Sequence, residues 1–280
     1  MENVIISNQV EFEKKKEKFK KGGVSSVHVV SDFDRTLTKA YDNDKKVGTA
    51  IAQIRNNNYL SSEYTKKAFE LFDKYHPIEI DPNLTMEKKI PLMEEWWSKH
   101  LKLIVKSCLK KEIIDDVVEK DYLPKREGLE QLMSFLKAKK IPILILSSGL
   151  GDVIGGFFEK KKVLTANVHV ISNYFDFDEK GFAKGYKGKI IHVFNKDESQ
   201  IKDMPYFKKI SKRKNVILMG DSIGDLKMPG QIPFDEILRV CFFNEQDWQK
   251  IDEFKKHFDV LILNDGPLDF VNDLLKELFE

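Results

Sequence analysis

Short apolar runs of strand length alternate with charged stretches of helical spacing over most of this chain. Val27–Val30, Ile143–Leu146, Val168–Ile171, Val216–Met219, Leu238–Phe243 and Val260–Leu263 are rich in β-branched residues and nearly free of charge. Runs of this kind predict strands buried on both faces, as in a parallel sheet. Glu127–Lys140 and Gly151–Lys161 carry helical periodicity between them, and the first twenty residues read as helical up to a stop at Gly22-Gly23. Tyr174–Gly188, rich in glycine and aromatics, reads as a hairpin turning at Asp178-Glu179-Lys180-Gly181. The alternation breaks from Ala40 to Lys125, where Ser61–Tyr75, Thr85–Ser107 and Lys111–Lys120 have helical spacing and little strand character. The predicted architecture is α/β: a doubly wound parallel sheet from residues 1–40 and 126–280, with a helical cap, residues 41–125, inserted after its first strand.

In such a sheet, ligands bind beyond the carboxyl ends of the strands, so the residues that follow each apolar run are the candidates for chemistry. The first run leads into Asp32-Phe33-Asp34-Arg35-Thr36-Leu37. Ile143–Leu146 leads into Ser147-Ser148-Gly149, with a helix opening near Gly151-Asp152, so a hydroxyl and amides meet at a helix N-terminus as phosphate binding requires. Ile190–Phe194, read as one more strand-like run, leads into Asn195-Lys196, a cation placed to offset phosphate charge. Val216–Met219 leads into Gly220-Asp221-Ser222-Ile223-Gly224-Asp225, two carboxylates around a glycine turn.

Close carboxylates repel unless a cation or donors compensate. At the mouth of a strand, Asp32 and Asp34 suit Mg²⁺-dependent phosphoryl transfer, one attacking phosphorus and the other managing protons. Carboxylates from two strand ends also match the preference of Mg²⁺ for oxygen ligands. Singly, each segment has an ordinary explanation as a surface D-x-D, a capped turn or a solvated lysine. Together, in this order, they form one constellation.

Charge narrows the partners. Lys and Arg number 47 against 45 Asp and Glu, a net of +2, which creates no field for wrapping nucleic acid. The densest basic run, Lys14 to Lys21, is interrupted by Glu17 and reads as a solvated helix face. Cys108 and Cys241, far apart, form neither a disulfide framework nor a zinc site, and they point to a reducing, cytoplasmic compartment. No signal peptide is visible, and no apolar run is long enough to span a bilayer, so no membrane partner is expected. A monomer is expected.

The ordered motifs D-x-D-x-T, Ser, Lys and G-D-x-x-x-D resemble those of the haloacid dehalogenase (HAD) superfamily of phosphotransferases. Longer segments narrow the likeness: Asp32-Phe33-Asp34 with Thr36-Leu37-Thr38, Ile78-Glu79-Ile80-Asp81-Pro82, Met93-Glu94-Glu95-Trp96-Trp97, Ser147 to Val153, Val170 to Tyr174, Ile191 to Lys196 and Gly220 to Leu226. From about Val24 to the C-terminus the chain resembles the cytosolic pyrimidine 5′-nucleotidases (cytosolic 5′-nucleotidase III), including their 7-methylguanosine phosphate-specific branch. The resemblance implies a HAD-like core and Mg²⁺-dependent hydrolysis of nucleoside 5′-monophosphates through an aspartyl-phosphate, with phosphotransfer as a side activity.

Carried onto this chain, the resemblance makes Asp32 the nucleophile and Asp34 the general acid and base. Asp32, the backbone carbonyl of Asp34, and Asp221 would hold Mg²⁺. Ser147, Ser148 and Lys196 would grip phosphate, Asp225 would orient Lys196, and Glu79 would meet the base. Three positions depart from the pattern: Ser148 replaces a frequent alanine, Arg35 a usually apolar residue, and His100 an expected serine at the substrate. Trp96-Trp97 points toward the 7-methylguanosine branch, where an aromatic, here Trp97, stacks on a cationic base; alternatively the tryptophans only pack the cap. Base preference stays open between pyrimidine and 7-methylguanine. Two rival functions remain: a HAD phosphatase for another small phosphomonoester, and a non-catalytic nucleotide-binding module. No P-loop motif is present.

Overall fold

The apolar runs become the strands of one sheet in the computed structural model, which describes residues 3–81, 83–230, 233–244 and 248–280; Pro82 of the quoted motif falls outside them. The elements in chain order are β1 (Val4–Ile6), α1 (Gln9–Gly22), β2 (Val27–Ser31), β3 (Tyr41–Asp42), β4 (Lys45–Lys46), α2 (Ala52–Asn56), α3 (Ser62–Ile80), α4 (Met86–Lys106) and α5 (Lys111–Glu119). They continue with α6 (Leu129–Ala138), β5 (Ile143–Leu150), α7 (Gly151–Lys160), β6 (Val168–Phe177), β7 (Ala183–Lys187), α8 (Phe207–Ile210), β8 (Asn215–Gly220), β9 (Glu236–Phe243), α9 (Ile251–His257), β10 (Val260–Leu263) and α10 (Asp269–Phe279).

The strand order is β1-β10-β9-β8-β2-β5-β6-β7. β2 lies between β5 and β8, parallel to both, with Ser31 aligned to Ile145 on one side and Met219 on the other. From β2 the chain builds outward through β5 and β6, then returns to lay β8, β9 and β10 on the opposite side. That reversal makes the carboxyl end of β2 the switch point of the sheet, where a crevice opens. Every residue of β2 and β8 is buried, as expected of strands covered on both faces.

Two expectations are corrected. The first twenty residues are not all helical: Val4–Ile6 pair antiparallel with β10, and α1 begins only after Asn8, whose side chain accepts from the Glu11 N–H. A three-residue edge strand is too short to show a period. Ile190–Phe194 is not a strand either. Both edges of β6 are already taken, by β5 and β7, so two asparagines satisfy this segment instead. Asn173 exchanges hydrogen bonds with the Ile191 N–H and carbonyl, while Asn195 accepts from the His192 N–H and donates to the Ile190 carbonyl.

The β6–β7 hairpin forms as predicted, Asp178 accepting from the N–H groups of Lys180 and Phe182 and Gly181 adopting φ +80°. Among the described residues, the segment between β2 and α6 holds the β3–β4 hairpin and four helices. α3 and α4 match their predicted spans, except that α3 runs on through Pro77 to Ile80. Among the described residues no helix is long and apolar enough to cross a membrane.

Candidate active site

β2 delivers Asp32 at the centre of the sheet, where its N–H donates to the Met219 carbonyl at 2.9 Å. Its side chain is buried and forms an ion pair with Lys196, which pairs at 2.7 Å with Asp225 as well. Asp225 reaches this position because Gly220 has no side chain: a Cβ there would stand 2.6 Å from that of Asp225. The other oxygen of Asp225 accepts from the Asp221 N–H (3.0 Å), the Ser222 N–H (2.9 Å) and the Ser222 hydroxyl (2.9 Å). Both oxygens are thus engaged, and Asp225 holds the lysine and the turn. Oxygens of Asp32, Asp221 and Asp225 all lie within 4.8 Å of one another.

Three carboxylates face one ammonium here, so the fully ionised cluster carries two excess negative charges. Burial raises the Asp32 carboxyl well above its ordinary range, and the Asp225 and Asp221 charges push the same way against Lys196. Burial and then Asp225 push Asp221 up to about 7. Burial opposes the charge on Lys196, but Asp225 and Asp32 outweigh it and its ammonium is held more firmly than in water. The lysine stays charged, and the carboxylates need protons or a cation to balance them. A hard divalent cation fits this all-oxygen set. With Asp225 engaged, Asp32 and Asp221 are the side chains able to ligate it.

Asp34 stands beside the cluster, one oxygen accepting from the Ala50 N–H at 2.8 Å. Burial lifts its carboxyl to about 6, against the Ala50 N–H and the charges of Arg35 and Lys196. Ser147 accepts from the Gly149 N–H at 3.0 Å. A Cβ on Gly149 would lie 3.2 Å from the Ser147 hydroxyl and 3.3 Å from Asp34 Oδ2, so glycine keeps open a space bounded by both. A cleft of about 450 Å³ opens here, lined by Asp34, Arg35, Ser148 and Gly149 below and by Glu79, Trp96, Trp97 and His100 of the helical segment. That volume suits a small ligand such as a nucleotide. Asp32, Lys196 and Asp221 are outside its lining, in the buried cluster that Asp34 adjoins.

Glu79, Trp96, Trp97 and His100, named from the sequence, do converge on this cleft. Trp97 donates its indole N–H to the Ser148 carbonyl at 2.9 Å, tying α4 to the end of β5. Trp96 stacks on Tyr75, ring centroids 5.9 Å apart, and meets Trp97 edge-on. Glu79 lies 3.1 Å from His76 Nδ1, and its backbone carbonyl accepts from the buried Lys89. His100 shares a 3.3 Å hydrogen bond with the Tyr64 hydroxyl, and burial, then the Arg55 charge, drop its pKa to about 4. It is a neutral polar group at physiological pH. Arg35 takes a left-handed φ of 60°, an uncommon conformation for a side-chain-bearing residue.

Arg126 was not singled out in the sequence, since one arginine in a charged stretch before a helix carries no signal. Fully buried, it donates to the carbonyls of Thr36 (2.7 Å), Gly266 (2.7 Å), Arg35 (2.5 Å) and Thr38 (3.1 Å), and pairs with Asp265 at 3.0 Å. Its guanidinium lies 4.3 Å from the centroid of the Phe242 ring. Burial lowers its pKa to about 10 against Asp265, so it remains charged. The loop after Asp34 is therefore braced chiefly by Arg126, with Asn244 donating to the Arg35 carbonyl and Asp265 accepting from the Ala40 and Tyr41 N–H groups. Arg126→Met strips a donor from the buried carbonyls of Thr36, Thr38 and Gly266, while the Arg35 carbonyl keeps that of Asn244, and leaves Asp265 without its cation, so a loss of about 3–5 kcal/mol in unfolding free energy is expected in urea titration. A loss under about 1 kcal/mol would show that the loop holds itself.

The sequence profile described as pyrimidine 5′-nucleotidase (UMPH-1) matches residues 35–279. The chain is 38% identical over 260 residues to 7-methylguanosine phosphate-specific 5′-nucleotidase A of Xenopus laevis, covering 92% of this chain and 90% of that one. It is similar in structure to cytosolic 5′-nucleotidase IIIB crystallised with cytidine, with a TM-score of 0.90 and 28% identity over 99% of this chain and 94% of the other. A HAD family hydrolase of Salmonella enterica matches with a TM-score of 0.55 at 13% identity, covering 90% of this chain and 71% of that one, which shows a shared fold.

Proposed function

The chain belongs to the pyrimidine 5′-nucleotidase family, and from that premise we propose that it hydrolyses nucleoside 5′-monophosphates by way of a phosphoryl group carried on Asp32, with Mg²⁺ as cofactor. It is a 5′-nucleotidase, a phosphoric monoester hydrolase of HAD fold. The observation that carries the mechanism is Lys196 bridging Asp32 and Asp225, with Asp221 in the same cluster, beside a nucleotide-sized cleft.

Mg²⁺, held by Asp32, Asp221 and the Asp34 carbonyl, would reduce the repulsion between a carboxylate nucleophile and an anionic phosphate. Asp32 attacks phosphorus in line. Asp34, whose pKa of about 6 leaves a protonated fraction near neutral pH, gives its proton to the departing 5′-oxygen. It then acts as base toward the water that releases phosphate from Asp32. Lys196 and the hydroxyls of Ser147 and Ser148 stabilise the equatorial oxygens, where transition-state charge is spread. Asp225 keeps Lys196 in place.

In the same cleft, Glu79 and the Trp97 indole offer the base a carboxylate and an aromatic ring. An anion and an aromatic favour a cationic ring over a neutral one, so 7-methylguanosine monophosphate is placed ahead of UMP and CMP, with the neutral His100 beside them. The intact nucleophile argues against a binding module that never turns over. The protein is placed in the cytoplasm as a monomer acting on a small nucleotide, independent of nucleic acid and membrane.

Orthophosphate release from UMP, CMP, GMP, 7-methylguanylate and p-nitrophenyl phosphate, measured side by side, tests the reading. Glu79→Ala should lower kcat/KM on the preferred nucleotide about 10- to 100-fold, the worth of one charged contact. On p-nitrophenyl phosphate, which has no base, the change should be small. Equal losses on both substrates would remove Glu79 from base recognition.

A further inference from the structure

Lys196 must hold its backbone still while its ammonium exchanges carboxylates for phosphate oxygens, yet it lies in a segment without a sheet ladder. Two residues on, Glu198 is 1% exposed and accepts a 2.8 Å hydrogen bond from Nε2–H of His28, itself 2% exposed. The Nδ1 atom of His28 has no hydrogen-bond partner among the described residues. His28 lies on β2 four residues before Asp32, so both side chains leave the same face, roughly 13 Å apart along the strand. Val30, between them, packs in a cluster with Ile191 and Ile201. The segment carrying Lys196 therefore crosses this face and is pinned at two points: Lys196 to Asp32 at the catalytic end, and Glu198 to His28 below it. Glu198 also donates its N–H to the Met228 carbonyl at 2.8 Å, just beyond the turn that holds Asp225.

Burying a carboxylate against an imidazole is a poor way to gain stability, because an apolar pair of similar volume is as stable or more so. It is a good way to fix a register. We infer that the His28–Glu198 hydrogen bond sets the position of Lys196 against the substrate phosphate, which makes both of them positioning residues of the reaction. The inference rests on the assignment of Lys196 as the phosphate-gripping cation.

The decisive variant replaces the pair by apolar residues, His28→Leu with Glu198→Met, which should fold with an unchanged or higher Tm. Its affinity for inorganic phosphate in the presence of Mg²⁺, read by calorimetry, should fall about tenfold, as is typical when an outer-shell partner is lost, and kcat/KM should fall with it. Affinity for cytidine, which has no phosphate, should not move. Glu198→Gln, which retains an oxygen to accept from His28, should recover most of the loss. In a Lys196→Ala background the apolar pair should cause no further loss of phosphate affinity, because it acts through that lysine. A folded double variant that binds phosphate within about twofold of the parent, or a loss that adds to that of Lys196→Ala, overturns the inference. Lys196→Ala alone leaving phosphate affinity intact would instead overturn the assignment of the lysine, whatever the pair does.

Discussion

Asp32→Asn eliminates turnover: kcat falls by at least about 10⁴-fold, the scale seen when an enzyme loses its nucleophile. The amide is nearly isosteric, so β2 and the Met219 contact of residue 32 are unaffected. What disappears is the charge that attacks phosphorus and the partner of Lys196. Stability should move the other way. The parent cluster holds three carboxylates against one ammonium, and removing one relieves repulsion, so the variant without added metal should melt no lower than the parent. Site charges that oppose folding are commonly kept because catalysis needs them. Rapid acid quench of the parent during turnover should trap a phosphoryl group that hydroxylamine removes, and the variant should trap none. Turnover within tenfold of the parent would end the nucleophile assignment.

Excess chelator reduces phosphate release to background, and added Mg²⁺ restores it. The same cation should raise Tm by about 5 °C at saturating concentration and pH 7.5, the size expected of ligand linkage at about 100-fold over Kd. That rise should shrink toward pH 5.5. Asp221 sits at about 7 and Asp34 at about 6 in the folded protein, both raised first by burial from an ordinary 3.8. At these two groups the folded state binds protons more tightly than the unfolded one, so without metal their contribution to stability is fully present below about 3.8 and is lost as pH rises through about 6 to 7. Mg²⁺ competes with those protons at Asp221, so its stabilisation grows over the same window. Full activity in chelator, or a Tm rise larger at pH 5.5 than at 7.5, would contradict a cation at these carboxylates.

The candidate site was legible in the sequence because strand ends announce themselves. An apolar run that stops at Asp32, at Ser147 or at Gly220 places the next side chain at the sheet's carboxyl edge whatever the rest of the fold does. The predicted helices of the cap were legible for a similar reason: α4 repeats its apolar spacing for six turns between Thr85 and Ser107. Lys196 was found for a partly wrong reason, since the run before it is a loop shaped by Asn173 and Asn195 rather than a strand. Glu79, Trp97 and His100 were named through the family likeness, and the cleft brings all three together.

The sequence by itself determined the alternation of elements, the α/β class and the acidic and hydroxyl groups at the strand ends, because those are local patterns of period and polarity. Only the tertiary structure decided which charges meet. Arg126 reaches four carbonyls, among them Gly266, 140 positions away, and Glu198 reaches His28 across 170. No local period encodes such pairings, because they follow from strand order and from burial that leaves a polar atom one available partner.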